Sequence, residues 1–246
     1  MAPLLGPAQC AVGRPPLGAN TSPVSWCEPV GTHSRRVAEW WNTWSNGAFL
    51  AAAAWMAMRF RATPRHFRAV VLAMTVVQGL TSGWFHATKS LAGQLADELC
   101  IVWLLGLSLG LFSRRLRAAA AASAAYGVVL FVWPRYNHLL LAMSLPCVMG
   151  AAELAVGTFC SRAAWRAWRR AAAALAISFL VWSLDKIACS PGGVQLHFHA
   201  WWHLCISASI VHIAAAGCVA HDDRCVVRYR LGGLLPETRW RRCAPA

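Results

Sequence analysis

The chain has 246 residues, of which 58% are hydrophobic and 13% charged, with 23 basic against 9 acidic side chains and a mean hydropathy of +0.45. So little polar surface excludes an ordinary soluble domain. The formal charge of +14 invites a nucleic-acid reading, but the arginines are spread over loops between apolar runs and not gathered on one folded face, which argues against that partner.

Residues 1–26 carry proline and glycine where a cleavable signal peptide would need a continuous apolar core, so the first span is expected to act as the anchor. Asn20-Thr21-Ser22 in this stretch is a glycosylation sequon. Seven apolar stretches follow, each of about 17 to 25 residues and so long enough to cross a bilayer. They are 42–60, 67–86, 94–113, 117–134, 137–160, 169–187 and 199–220, with Pro134 marking a turn and Pro146 a kink. The predicted fold class is all-α, an integral membrane bundle of seven transmembrane helices. It divides into an N-terminal segment (1–41), a catalytic membrane domain (42–220) and a basic tail (221–246).

Charge orients these spans. Arg59, Arg61, Arg65 and Arg68, then Arg114, Arg115 and Arg117, then Arg162, Arg166, Arg169 and Arg170, together with six arginines after residue 220, all fall on one side. The other side has only Arg14, Arg35, Arg36, Lys89, Arg135 and Lys186. The positive-inside rule therefore predicts a cytosolic C-terminus and a luminal or external N-terminus, in the endoplasmic reticulum or Golgi.

Polar residues inside the spans then converge at the non-cytosolic end: Ser82 and His86 close the second span, Asp97 and Glu98 open the third, and His199 and His203 open the seventh. Residues four apart share a helix face, as do Ser82 with His86 and His199 with His203. Three neutral imidazoles suit a catalytic zinc, because they fill three tetrahedral positions and leave the fourth for water, whose pKa falls to about 7. Asp97 is placed to accept the water's proton, and Ser82 to orient the water or stabilise an oxyanion. Taken singly, each histidine could equally be a hydrogen-bonding partner between helices.

Several blocks occur in the order found in alkaline ceramidases, which the chain resembles over about 26–212. They are Trp26-Cys27-Glu28, Ala38-Glu39-Trp40-Trp41-Asn42-Thr43-Trp44-Ser45-Asn46, Ser82-Gly83-Trp84-Phe85-His86, Asp97-Glu98-Leu99, Trp182-Ser183-Leu184-Asp185 and His199-Ala200-Trp201-Trp202-His203-Leu204. The wider superfamily of that family also includes adiponectin and progestin receptors. The resemblance implies a zinc on His86, His199 and His203, with Ser82 and Asp97 against the bound water. It further implies hydrolysis of the ceramide amide to a sphingoid base and a fatty acid, with ceramide or a related lipid taken from the bilayer. A lipid-sensing receptor and a zinc-dependent acyl-ester lipase are the alternatives.

The same resemblance implies two further features. One is a disulfide between Cys27 and Cys189, both of which lie outside the apolar runs on the predicted oxidising side. The other is an N-terminal calcium site, where this chain departs from the family: Trp26, Glu28 and Glu39 stand at ligand positions, but Ser25 replaces an Asp and Val30 an Asn. Loss of two oxygen ligands weakens a site for a cation that wants six to eight, so calcium dependence is doubtful here. Glu39 has an alternative role at a helix start, pairing with Arg35 or Arg36. Asp185 could support a histidine or pair with Lys186, and His212 falls on the far side of its helix from His203.

Overall fold

The computed structural model describes residues 20–189, 196–222 and 224–241. Arg14 and Arg242, which enter the orientation argument, and most of the stretch read for a signal peptide lie outside these residues. Eight helices run through the described chain: α1 (Trp40–Ser45), α2 (Gly47–Arg59), α3 (Arg65–Thr88), α4 (Leu91–Ser113), α5 (Leu116–Val132), α6 (Asn137–Phe159), α7 (Arg162–Ile187) and α8 (Phe198–His221). The expected first span is two helices, because the chain turns out of α1 at Asn46 before α2 begins. Pro134 does make a turn, the 3₁₀ turn Pro134–Tyr136, whereas α6 continues through Pro146 as one helix.

Four helical segments are long and apolar enough to cross a membrane: Arg65–Thr88, Leu91–Ser113, Pro134–Thr158 and Phe198–His221. The chain is a membrane protein on this pattern. The other three predicted spans exist as helices but read differently: α2 and α5 have 13 and 17 residues, and α7 carries Arg162, Arg166, Arg169 and Arg170 in its first turns.

Local chemistry sets the helix ends nearest the histidines. Lys89 stops α3 in the left-handed conformation (φ 52°), and Ser90 starts α4 by accepting a hydrogen bond from the Gly93 N–H at 3.0 Å. Gly93 is required there, since a Cβ would lie 2.9 Å from the Phe85 Cα. The α3–α4 corner is thereby held tight, with His86 one turn before it and Asp97 two turns after it.

Helix α8 is the centre of the molecule, packed on α7, α2, α1, α4 and α3. Its small residues Ala214, Ala215, Ala216 and Gly217 allow this approach and are buried with Val211, Cys218 and Val219. Beyond α8 the tail, which the sequence reading left without a fold, forms an antiparallel hairpin of β1 (Cys225–Arg230) and β2 (Leu235–Trp240). It closes one end of the bundle: Thr238 bridges to Phe60 and its hydroxyl lies 3.2 Å from that of Thr63, while the Trp55 indole N–H donates to the Pro236 carbonyl at 2.8 Å.

Candidate metal centre

At the opposite end from the hairpin, the last turn of α3 and the first turns of α8 bring three imidazoles together. His86, His199 and His203 are all buried, and their ligand nitrogens lie within 4.8 Å of one another. His86 Nε2 and His199 Nε2 are 3.2 Å apart. Zinc–nitrogen bonds of about 2.0–2.1 Å in a tetrahedron separate two ligands by roughly 3.3 Å, so this pair has the spacing such an ion needs and the third imidazole is close enough to complete the set. Among the described residues no other group of three or more His, Cys, Asp or Glu side chains could share a metal.

The outward nitrogens of two histidines are held by neighbours. His86 Nδ1 is 2.5 Å from Glu39 Oε2, and the other Glu39 oxygen takes the Lys89 ammonium at 2.8 Å. Ser45 donates its hydroxyl to the Asn42 carbonyl at 3.1 Å and so accepts from His203 Nδ1–H at 2.7 Å. Both contacts fix the tautomer that leaves Nε2 with a lone pair for a metal. Burial alone would raise the Glu39 carboxyl, but the Lys89 ammonium and the His86 bond outweigh it and hold it at about 2. His199 is supported differently, by its backbone: Asp185 accepts the His199 N–H and the Cys27 N–H, each at 3.0 Å. Asp185 thus ties the start of α8 to the N-terminal strap and does not bond an imidazole.

Asp97 and Ser82, the sequence-predicted catalytic pair, are buried beside the histidines. Asp97 Oδ1 accepts from Gln78 Nε2 at 2.6 Å, and Ser82 stands near the same carboxylate. Glu98 next along α4 is engaged by Gln94 Nε2 at 3.1 Å and Asn137 Nδ2 at 2.5 Å. These groups stand at one end of a cavity whose other walls are apolar. From Asp97 and His203 it runs between α4 and α8 past Leu104, Ile206 and Ile210 towards Phe112.

The residues expected at the calcium positions have other tasks in this structure. Glu28 accepts the backbone N–H groups of Trp41 (2.7 Å) and Asn42 (2.8 Å), filling the open donors at the start of α1. Glu39 is committed to His86 and Lys89, and not to Arg35 or Arg36 as the alternative reading had it. The Ser25 carbonyl accepts the Lys186 ammonium, which also lies 3.9 Å from the centre of the Trp26 ring. Cys27 and Cys189 are bridged, with Cα atoms 5.4 Å apart. Asn20 of the sequon is exposed, with a left-handed φ of 60°. His212 lies outside the centre, with Nε2 2.9 Å from the Leu234 carbonyl of the hairpin turn.

Three residues of the site have no role there on sequence grounds: Ser45, Gln78 and Lys89. A signal existed for Gln78, because the four-residue ladder of Ser82 and His86 continues one step back to it. Ser45 lay inside a quoted block but carried no helical spacing to His203. Lys89 looked like a loop charge, and only the fold buries it.

Fold and site together define a helical membrane protein with a candidate metal centre at one end of an apolar cavity. The chain belongs to the ceramidase family, whose family model matches residues 18–224. It is 30% identical to an alkaline ceramidase of Drosophila melanogaster over 212 residues, covering 77% of this chain and 74% of that one. It is similar also to alkaline ceramidase 3 of Mus musculus, at 26% identity over 239 residues, with 80% and 83% covered. A shorter match, 38% over 89 residues, covers 35% of this chain and 34% of alkaline ceramidase 1 of Homo sapiens.

Proposed function

We propose that this protein is a zinc-dependent ceramidase that hydrolyses the N-acyl amide of ceramide inside the membrane, releasing a sphingoid base and a fatty acid. The observation that carries the reading is the convergence of three buried imidazoles with Asp97 and Ser82 at the end of an apolar cavity. In this reading His86, His199 and His203 hold the ion through Nε2, and Glu39 and Ser45 keep two of those rings in the required tautomer and orientation. A zinc ion there supplies Lewis acidity and lowers the pKa of a water molecule to about 7.

Asp97 accepts a proton from the attacking water and returns it to the amide nitrogen as the carbon–nitrogen bond breaks. One C–O bond forms, one C–N bond breaks, and the water's second hydrogen leaves with the new carboxyl group, so no other reactant is needed. Gln78 fixes one Asp97 oxygen and leaves the other for that transfer. Ser82 is the donor placed to meet charge on the carbonyl oxygen. The apolar walls exclude bulk water and accept a hydrocarbon chain, which strengthens each of these contacts.

In the same reading the chain crosses the bilayer seven times, α1 and α2 together making the first crossing, with the histidine end and the segment before α1 non-cytosolic and the arginine-rich hairpin end cytosolic. The test is release of sphingoid base from ceramides by purified protein in detergent, beside His203→Ala and zinc-stripped samples. Release that vanishes in both controls is the expected result. No release from folded, zinc-loaded protein overturns the reading and turns the search to ester lipids and receptor ligands.

A further inference from the structure

The strap before α1 crosses the histidine end of the bundle, and each residue from Val24 to Cys27 is held there. The Val24 carbonyl accepts the Lys89 ammonium at 3.0 Å, the Ser25 carbonyl accepts the Lys186 ammonium, and Cys27 is fixed by its bridge to Cys189 and by Asp185. Between them, Trp26 is fixed by its ring. The indole stacks on His199 with ring centres 3.7 Å apart and planes 24° from parallel, and meets the Trp182 ring edge-on at 5.8 Å. A side chain held on so many sides has one orientation.

That orientation leaves one group unexplained. Trp26 lines the cavity, and its indole N–H is buried with no acceptor among the described residues. Buried tryptophan N–H groups ordinarily find an acceptor, because taking a donor out of water without one costs free energy. An indole N–H can only donate, so what it lacks is an oxygen or nitrogen lone pair.

Resting on the ceramidase reading, we propose that Trp26 is a substrate-binding residue: its indole N–H donates a hydrogen bond to the primary hydroxyl of the sphingoid headgroup. Asp97, Gln78 and Ser82 approach the histidines from α3 and α4, whereas Trp26 approaches from the strap and contacts His199 of α8 and Trp182 of α7. The amide oxygen and nitrogen are engaged on the first side. Of the two hydroxyls left, the secondary one is on the hydrocarbon side of the amide and the primary one on the opposite side, so with the chains in the cavity the primary hydroxyl is the one assigned to Trp26. Trp26 thereby makes the site select hydroxylated headgroups and sets the amide's distance from Asp97.

The test compares kcat/KM for ceramide and for 1-deoxyceramide, which lacks this hydroxyl, in the wild-type protein and in Trp26→Phe. Phenylalanine keeps an aromatic face for His199 and removes the N–H. Because both substrates are read on the same sample, their ratio is independent of the fraction of protein folded. The wild type is expected to favour ceramide about tenfold, the worth of one neutral hydrogen bond. Trp26→Phe should bring the ratio near one by slowing ceramide alone. A ratio unchanged by Trp26→Phe, or an equal loss on both substrates, overturns the proposal while leaving a ceramidase in place. Wild-type protein inactive on both substrates overturns the ceramidase reading itself.

Discussion

At the end of the bundle that holds the histidines, Glu39 and Lys89 are buried against each other at 2.8 Å, and Glu39 also carries His86 at 2.5 Å. At the hairpin end Glu237 is buried just as fully, yet its partners Arg230 and Arg239, at 3.1 and 3.0 Å, are about half exposed. The carboxylates are alike and their settings are not. In the first, each charge depends on one partner, and removing that partner leaves an uncompensated ion in a medium that solvates it poorly. In the second, guanidinium groups reach water, so solvent replaces whatever a substitution takes away.

The largest break in this comparison is His203→Ala. It removes one of three ligand nitrogens, so zinc content measured by elemental analysis should fall with sphingoid base release, and both should be lost together.

Glu39→Gln comes next. It leaves the Lys89 ammonium buried beside a neutral amide, at a cost of about 3–5 kcal/mol, and loosens His86, lowering activity about 10- to 100-fold. Its pH dependence has a definite sign. Folding lowers this carboxyl from its ordinary 4.5 to about 2, so the stabilisation it brings is complete above 4.5 and disappears as pH falls towards 2. Thermal midpoints of wild type and Glu39→Gln should differ by a constant amount above pH 5 and draw together below 4.5. A gap that widens in acid would contradict the pairing.

Cys27→Ser tests the strap alone. The bridge joins residues 162 apart, and its loss should cost about 2–5 kcal/mol of stability while leaving the three histidines in place. Zinc content should therefore persist while the thermal midpoint falls. The smallest effect belongs to the hairpin: Glu237→Gln should change stability by no more than about 1 kcal/mol, with unaltered ceramide hydrolysis. An activity loss there comparable to that of Glu39→Gln would end the contrast between the two regions.

Much of this arrangement was legible in the sequence because it follows from period and depth. His199 and His203 are one helical turn apart, Ser82 and His86 likewise, and apolar length places all four at one end with Asp97. What was not legible depends on contacts between distant segments. Glu39 was read among cation ligands or at a helix start, and only the meeting of the strap with the end of α3 turns it toward His86 and Lys89. Asp185 suits a histidine partner by its position at the end of its span, yet it bonds the His199 backbone and not the ring, a distinction that spacing never carries. The hairpin was missed because β1 and β2 are short and arginine-rich and take their stability from packing on α8 and the end of α2, which no local pattern announces.

The Cys27–Cys189 bridge makes residues 27–189 a closed covalent ring that contains α1 through α7 and leaves α8 outside it. A chain is synthesised from its N-terminus, so every atom of that ring exists before α8 does, and the ring can close on an incomplete protein. The helix that then packs against it brings two of the three histidines. The order of manufacture is in this way also a safeguard: the covalent ring comes first and the reactive centre last, and a chain that stalls before α8 lacks two of the three histidines and one wall of the cavity.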